Sequence, residues 1–204
     1  MTSPAFKISR GLWLARNNIM KKIVCLGGFC ALIISSDAFA APLELFGTPL
    51  WNATRSTLEP ALQKAGLTPR QIGSKWWFDI YGVSGQMPGA NKLLVGYTEH
   101  NQFAVAQYVF PSFMNTELVE KVIQMVEDKY GAPTHQSGSV DLGTVTATWD
   151  ESNGMSIRVS RGWPSTTTYL NLENRTNYAR MQAQMRAQKA AHQAQQAQAH
   201  GNAF

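Results

Sequence analysis

Two helix-patterned segments, each closed by a glycine and each followed by three alternating apolar runs, constrain the fold of this chain more than any other feature. The first covers about Ala53 to Ala65, where Ala53, Thr57, Leu58, Ala61, Leu62 and Ala65 recur at three-to-four spacing ahead of Gly66. The second covers about Thr116 to Tyr130, with Leu118, Val122, Met125, Val126 and Tyr130 on one side, Asn115 as N-cap, and Gly131 then Pro133 as terminators. Strands are expected after the first helix at Lys75 to Val83, Lys92 to Thr98 and Phe103 to Phe110. After the second they are expected at Thr144 to Asp150, Met155 to Arg161 and Thr166 to Leu172. Polar turns at Glu99 to Gln102 and Glu151 to Gly154 make hairpins, the latter through Asn153-Gly154. Counted from Gly66, the second and third strands start about 26 and 37 residues on; counted from Gly131, about 24 and 35.

This spacing reads as α+β: two αβββ units, about 52–110 and 115–173, within a domain spanning 41–173. The helices cover one face of an antiparallel sheet and leave the other largely to solvent or a partner. Residues 41–51, with two prolines and a glycine among apolar side chains, suit an irregular lead-in packed on the domain. From 174 to 204 the composition turns to Ala, Gln and Arg, which favours a helix. Tyr178, Met181 and Met185 are spaced to dock, whereas almost nothing larger than Ala follows Arg186, so the end reads as a helical or disordered tail.

Residues 20–40 have the build of a secretory signal peptide: Lys21 and Lys22, an apolar run from Ile23 to Ile34, and Ala38-Phe39-Ala40 ahead of Ala41. The apolar run is too short for a membrane span, which needs about 20 residues. Residues 1–19 then read as a misassigned upstream extension, with Met20 as the start. The surroundings of Cys30 match a lipidation site poorly, which favours soluble export to the periplasm or beyond a Gram-negative cell. Cleavage at Ala41 removes Cys25 and Cys30, so no disulfide supports the mature fold. It also removes Lys7, Arg10, Arg16, Lys21, Lys22 and Asp37, leaving 13 basic and 12 acidic residues of the original 18 and 13. That balance argues against a nucleic-acid surface.

Chemistry-bearing constellations are sparse. His100, His135, His192 and His200 lack the companions of a zinc site, so neither a metal nor another cofactor is expected. The serines of the Gly-rich loops lack a nucleophile-elbow frame. Recognition surfaces are better served. In the run Trp76 to Tyr81, alternation places Trp76, Phe78 and Ile80 on one face, leaving Trp77, Asp79 and Tyr81 as an outward patch for a protein or glycan. The competing reading has Leu45, Phe46 and Trp51 of the lead-in cover that patch and make it core. Thr146, Thr148, Ser156, Arg158, Ser160, Thr167 and Asn171 form a polar sheet face around an arginine, and Trp163, beside Pro164, is a further exposed aromatic.

The element order across 52–173, with the helix endings Ala65-Gly66-Leu67 and Lys129-Tyr130-Gly131-Ala132-Pro133, resembles the tandem modules of β-lactamase inhibitory proteins and the related SmpA/OmlA lipoproteins of outer-membrane assembly. The resemblance implies a sheet whose free face or loops bind another protein, and it transfers no functional residue. The expected function is a non-catalytic protein-binding module, periplasmic or secreted. Trp77, Asp79, Tyr81, Arg158 and Trp163 are its candidate contacts, and a protein of the envelope or cell exterior is its partner. Two other readings are a cell-wall or polysaccharide enzyme using Asp79, Glu99 and His100, and a structural part of an envelope or secretion assembly engaged through the C-terminal helix.

Overall fold

The computed structural model describes residues 42–73, 75–83, 85–113, 115–164 and 167–201. The expected upstream extension, 1–19, and signal peptide, 20–40, lie outside them. A short hairpin, β1 (Glu44–Leu45) and β2 (Thr48–Pro49), precedes α1 (Arg55–Lys64). Then come β3 (Thr68–Gln71), β4 (Phe78–Gly82), β5 (Lys92–Tyr97) and β6 (Phe103–Pro111). The second half repeats the order as α2 (Glu117–Tyr130), β7 (His135–Ser139), β8 (Thr144–Asp150), β9 (Met155–Arg161) and β10 (Thr167–Asn174), before α3 (Arg175–Gly201).

The chain is α+β, and its main sheet has eight antiparallel strands in the order β3-β4-β5-β6-β10-β9-β8-β7. Each half is a helix followed by a four-stranded meander, and the two meanders join through their last strands, Ala106 opposite Leu172 and Tyr108 opposite Leu170. The expected irregular lead-in holds the hairpin β1–β2, and β3 and β7 add a fourth strand to each expected αβββ unit. Both are short, polar and exposed, so no apolar alternation announces them. They form the sheet's two margins. β3 carries Pro69, which has no N–H to offer, and a register shift between Pro69 and Gln71. β7, with sequence HQSGS, has neither.

Helices α1 and α2 lie on one face, where alternation in every strand supplies the core. Leu58 and Leu62 of α1 and Val119, Val122, Ile123 and Val126 of α2 meet Tyr81, Leu93, Val95, Tyr108, Ala147, Trp149, Ile157, Val159 and Leu170. Leu43, Leu45 and Leu50 of the lead-in close the same core. Asn115 Oδ1 accepts the Leu118 N–H at 3.1 Å and starts α2, and the Trp149 indole donates to the Gly131 carbonyl at 2.7 Å, tying β8 to the helix end.

On the opposite face α3 crosses the ends of β10, β6 and β5. Asn174 Oδ1 accepts the Asn177 N–H and caps it, and Met181 is fully buried against Ala104 and Val105, with Tyr178, Met185, Trp77 and Phe78 beside it. The approach depends on Gly96 of β5. A Cβ there would lie 2.8 Å from the Phe78 ring, 2.9 Å from Val105 and 3.0 Å from the Met181 sulfur. Beyond Gln188, where the Trp77 indole donates to its amide oxygen, residues 189–198 of the helix are exposed. Among the described residues no helix is long and apolar enough to cross a membrane.

Candidate functional site: a loop end stapled by a buried arginine

The register Pro111 opposite Thr167, Thr168 opposite Arg161 and Arg161 opposite Val145 brings three loops out side by side at one end of the sheet. They follow β6, link β9 to β10, and link β7 to β8. Arg161, the last residue of β9, is buried among them. Its Nη1 donates to the Gly143 carbonyl at 3.1 Å and its Nη2 to the Ser112 carbonyl at 3.4 Å. Ser112 Oγ in turn lies 2.9 Å from Thr168 Oγ1. Gly143 has φ +68°, and a Cβ on it would sit 2.3 Å from Arg161 Nη1, so the staple requires glycine here.

Each of the three loops then holds a large apolar side chain in water. Phe113 is 76% exposed, Leu142 80% and Trp163 82%. With neighbouring strands about 4.8 Å apart, the loops span roughly 15 Å. Apolar groups concentrated like this are suited to contact, and the bonds from Arg161 to the Gly143 and Ser112 carbonyls limit the backbone entropy that two of the loops would lose. Trp163 was singled out by sequence. Phe113 and Leu142 were not, although each is a large apolar residue isolated among loop formers, Pro111-Ser112 before one and Asp141 and Gly143 around the other.

The remaining expected contacts do not gather with Trp163. Asp79 and Tyr81, expected outward, are both fully buried, and that expectation is corrected. β4 carries bulky groups on both faces, so alternation gives two parities without saying which is inside. α3 provides an apolar cover for Phe78 on one side, and Arg55 provides a counter-charge for Asp79 on the other. The lead-in joins the same core through Leu43, Leu45 and Leu50, while Trp51 stays exposed. Trp77 is half-buried under α3. Arg158 lies on the polar sheet face expected for it, ion-paired with buried Glu173, which also accepts from Asn171. That face is distinct from the loop end.

Around Asp79 the geometry is that of an internal ion pair. Arg55 Nε stands 3.6 Å from Asp79 Oδ2, Arg55 Nη2 donates to the Trp76 carbonyl at 2.8 Å, and the guanidinium lies 4.5 Å from the centre of the Tyr97 ring. The Gly73 N–H donates to Asp79 Oδ1 at 3.0 Å. Loss of water raises the Asp79 pKa above the ordinary carboxylate value, and Arg55 and the Gly73 N–H only partly offset it. Burial likewise pushes up the phenols of Tyr81 and Tyr97, with the charge of Asp79 adding to the effect. Glu99, exposed in the β5–β6 turn, accepts from Gln184 of α3, so Asp79 and Glu99 are engaged with different partners. Among the described residues no group of three or more His, Cys, Asp or Glu side chains converges.

Neither a family model nor a curated protein matches the sequence. Among solved structures, the chain is similar to the crystal structure of a DUF4309 family protein, YjgB, from Bacillus subtilis. The two are 14% identical, the match covers 66% of this chain and 87% of that one, and the TM-score is 0.39.

Proposed function

We propose that this chain is an exported, non-catalytic module that binds another protein, in the envelope or outside the cell, through the loop end bearing Phe113, Leu142 and Trp163. The observation that carries the reading is the combination of three highly exposed large apolar side chains with a buried guanidinium that bonds the backbone of the loops presenting Phe113 and Leu142. Isolated surface apolar groups need no explanation, whereas three from adjacent loops at one sheet end do. Export is supported by the segment 20–40, and mass spectrometry of the secreted or periplasmic product should place the mature N-terminus at Ala41.

The decisive experiment is capture of the native partner by the mature protein and by the double variant Phe113→Ala/Trp163→Ala. A hot-spot truncation typically costs about 2 kcal/mol or more, so the loss of even one such contact lowers capture at least about thirtyfold while the circular dichroism spectrum stays unchanged. Undiminished capture by a folded double variant would remove this surface from consideration.

A further inference from the structure

The helix-covered face is not closed everywhere. Where the two meanders meet, a cavity of about 190 Å³ lies on the helix-covered face, floored by Tyr108 of β6, Ile157 of β9 and Leu170 and Leu172 of β10. Met125 and Val126 of α2 wall it on one side, and Leu45, Phe46 and Met87 on another. Its charged and amide groups are few and lie toward solvent, Glu44, Gln86 and Lys129, and two phenols, Tyr108 and Tyr130, complete the lining. An apolar cavity of about 150 Å³ is enough to hold a benzene ring, so this one is large enough for a small molecule.

Phe46 gives the cavity a second distinguishing feature. It sits in the two-residue turn between β1 and β2 with φ +49°, followed by Gly47 at +75°. Such a turn needs positive φ at both positions and favours Asn-Gly, because a bulky side chain is strained in the left-handed region. Phe46 therefore occupies a place where its own backbone preference disfavours it. It is 37% exposed, and it lines both the cavity and a second hollow against Ala61 and Lys64 of α1 and Ala65 just after it. A side chain bordering two hollows can swing from one to the other and uncover the mouth of the first.

We infer that this cavity is a binding site for a small uncharged amphiphile, a single aromatic ring or an alkyl chain of about six carbons with one hydrogen-bonding group at its end, and that Phe46 is its gate. The apolar floor selects the body of the ligand. Beside the apolar lining stand one acid, one base, one amide and the Tyr130 phenol, and this balance favours a neutral hydrogen-bonding group over a charged one. Met87 and Met125 supply soft walls that conform to rings or chains. The site is separate from the loop end and stands or falls independently of it.

The test uses the mature protein with benzyl alcohol and 1-hexanol as probes, followed by saturation-transfer NMR and by thermal unfolding. Saturable binding with a rise in Tm is expected for both. Met125→Trp fills the mouth without touching the floor and should weaken binding at least about tenfold. Phe46→Asn suits the turn better, so the unliganded protein should unfold at a higher temperature while both probes exchange faster. The inference is overturned if neither probe binds saturably to the folded protein, if folded Met125→Trp binds as tightly as the parent, or if Phe46→Asn leaves exchange unchanged.

Discussion

The pair Arg55 and Asp79 shows how unequal two partners of one contact can be. Asp79 holds its carboxyl at a raised pKa because lost hydration outweighs Arg55 and the Gly73 N–H, so its charged form is not favoured by its surroundings. Asp79→Asn keeps an acceptor for Gly73 and removes that unfavourable charge. Arg55→Met takes the counter-charge from Asp79, the donor from the Trp76 carbonyl and the cation from the Tyr97 ring. Urea denaturation at pH 7 should show Arg55→Met losing roughly 3 kcal/mol and Asp79→Asn much less. The pH dependence has a definite sign. A carboxyl whose folded pKa exceeds its unfolded value, 3.8, stabilises most fully below that value and loses its contribution as pH rises through the folded pKa. The stability of the parent relative to Asp79→Asn should therefore be highest in acid, fall as pH climbs past 3.8 and then level off. Nothing in the order Trp-Trp-Phe-Asp-Ile-Tyr discloses this pairing, because Arg55 lies on a helix more than twenty residues earlier.

At the level of elements, the strands with one apolar face were legible and those without were not. Val145, Ala147 and Trp149, then Met155, Ile157 and Val159, then Leu170 and Leu172, alternate as a half-buried sheet must, and all are inside. β3 and β7 take their place from the strands they pair with, and their own side chains stay exposed, so periodicity had nothing to register. α3 was legible in its docking residues but not in its destination. Which sheet face Tyr178, Met181 and Met185 cover depends on Gly96 leaving room, and a glycine in a strand signals only that something comes close. Gly96→Ala should strain Phe78, Val105 and Met181 together and cost about 1–3 kcal/mol, with faster hydrogen exchange along 175–188. Removing residues 190–204 should change stability by less than about 0.5 kcal/mol in the same denaturation assay, because the described side chains beyond Lys189 are exposed.

Over the whole molecule, the two halves share one core and one ladder. β6 contributes Val105, Ala106, Tyr108, Val109 and Phe110 to the interior only because β10 pairs with it and the helices cover it. A fragment ending at Phe113 would present that strand as a long apolar margin, so size-exclusion chromatography should find it aggregated rather than monomeric. The repeated order of segments was enough to foresee the helix-covered sheet. The joining of the halves through β6 and β10 was not foreseeable, because pairing between strands some sixty residues apart leaves no local trace. The contrast between the two outer strands has its own consequence. Proline and a displaced register close β3, while β7 keeps its outward hydrogen-bonding groups and carries no lysine, arginine or acid. If copies ever associate by lengthening the sheet, two β7 strands meeting about a twofold axis leave β3 at both extremities, and growth ends with a pair. A sheet that can lengthen at one margin alone is thereby protected against becoming a fibre.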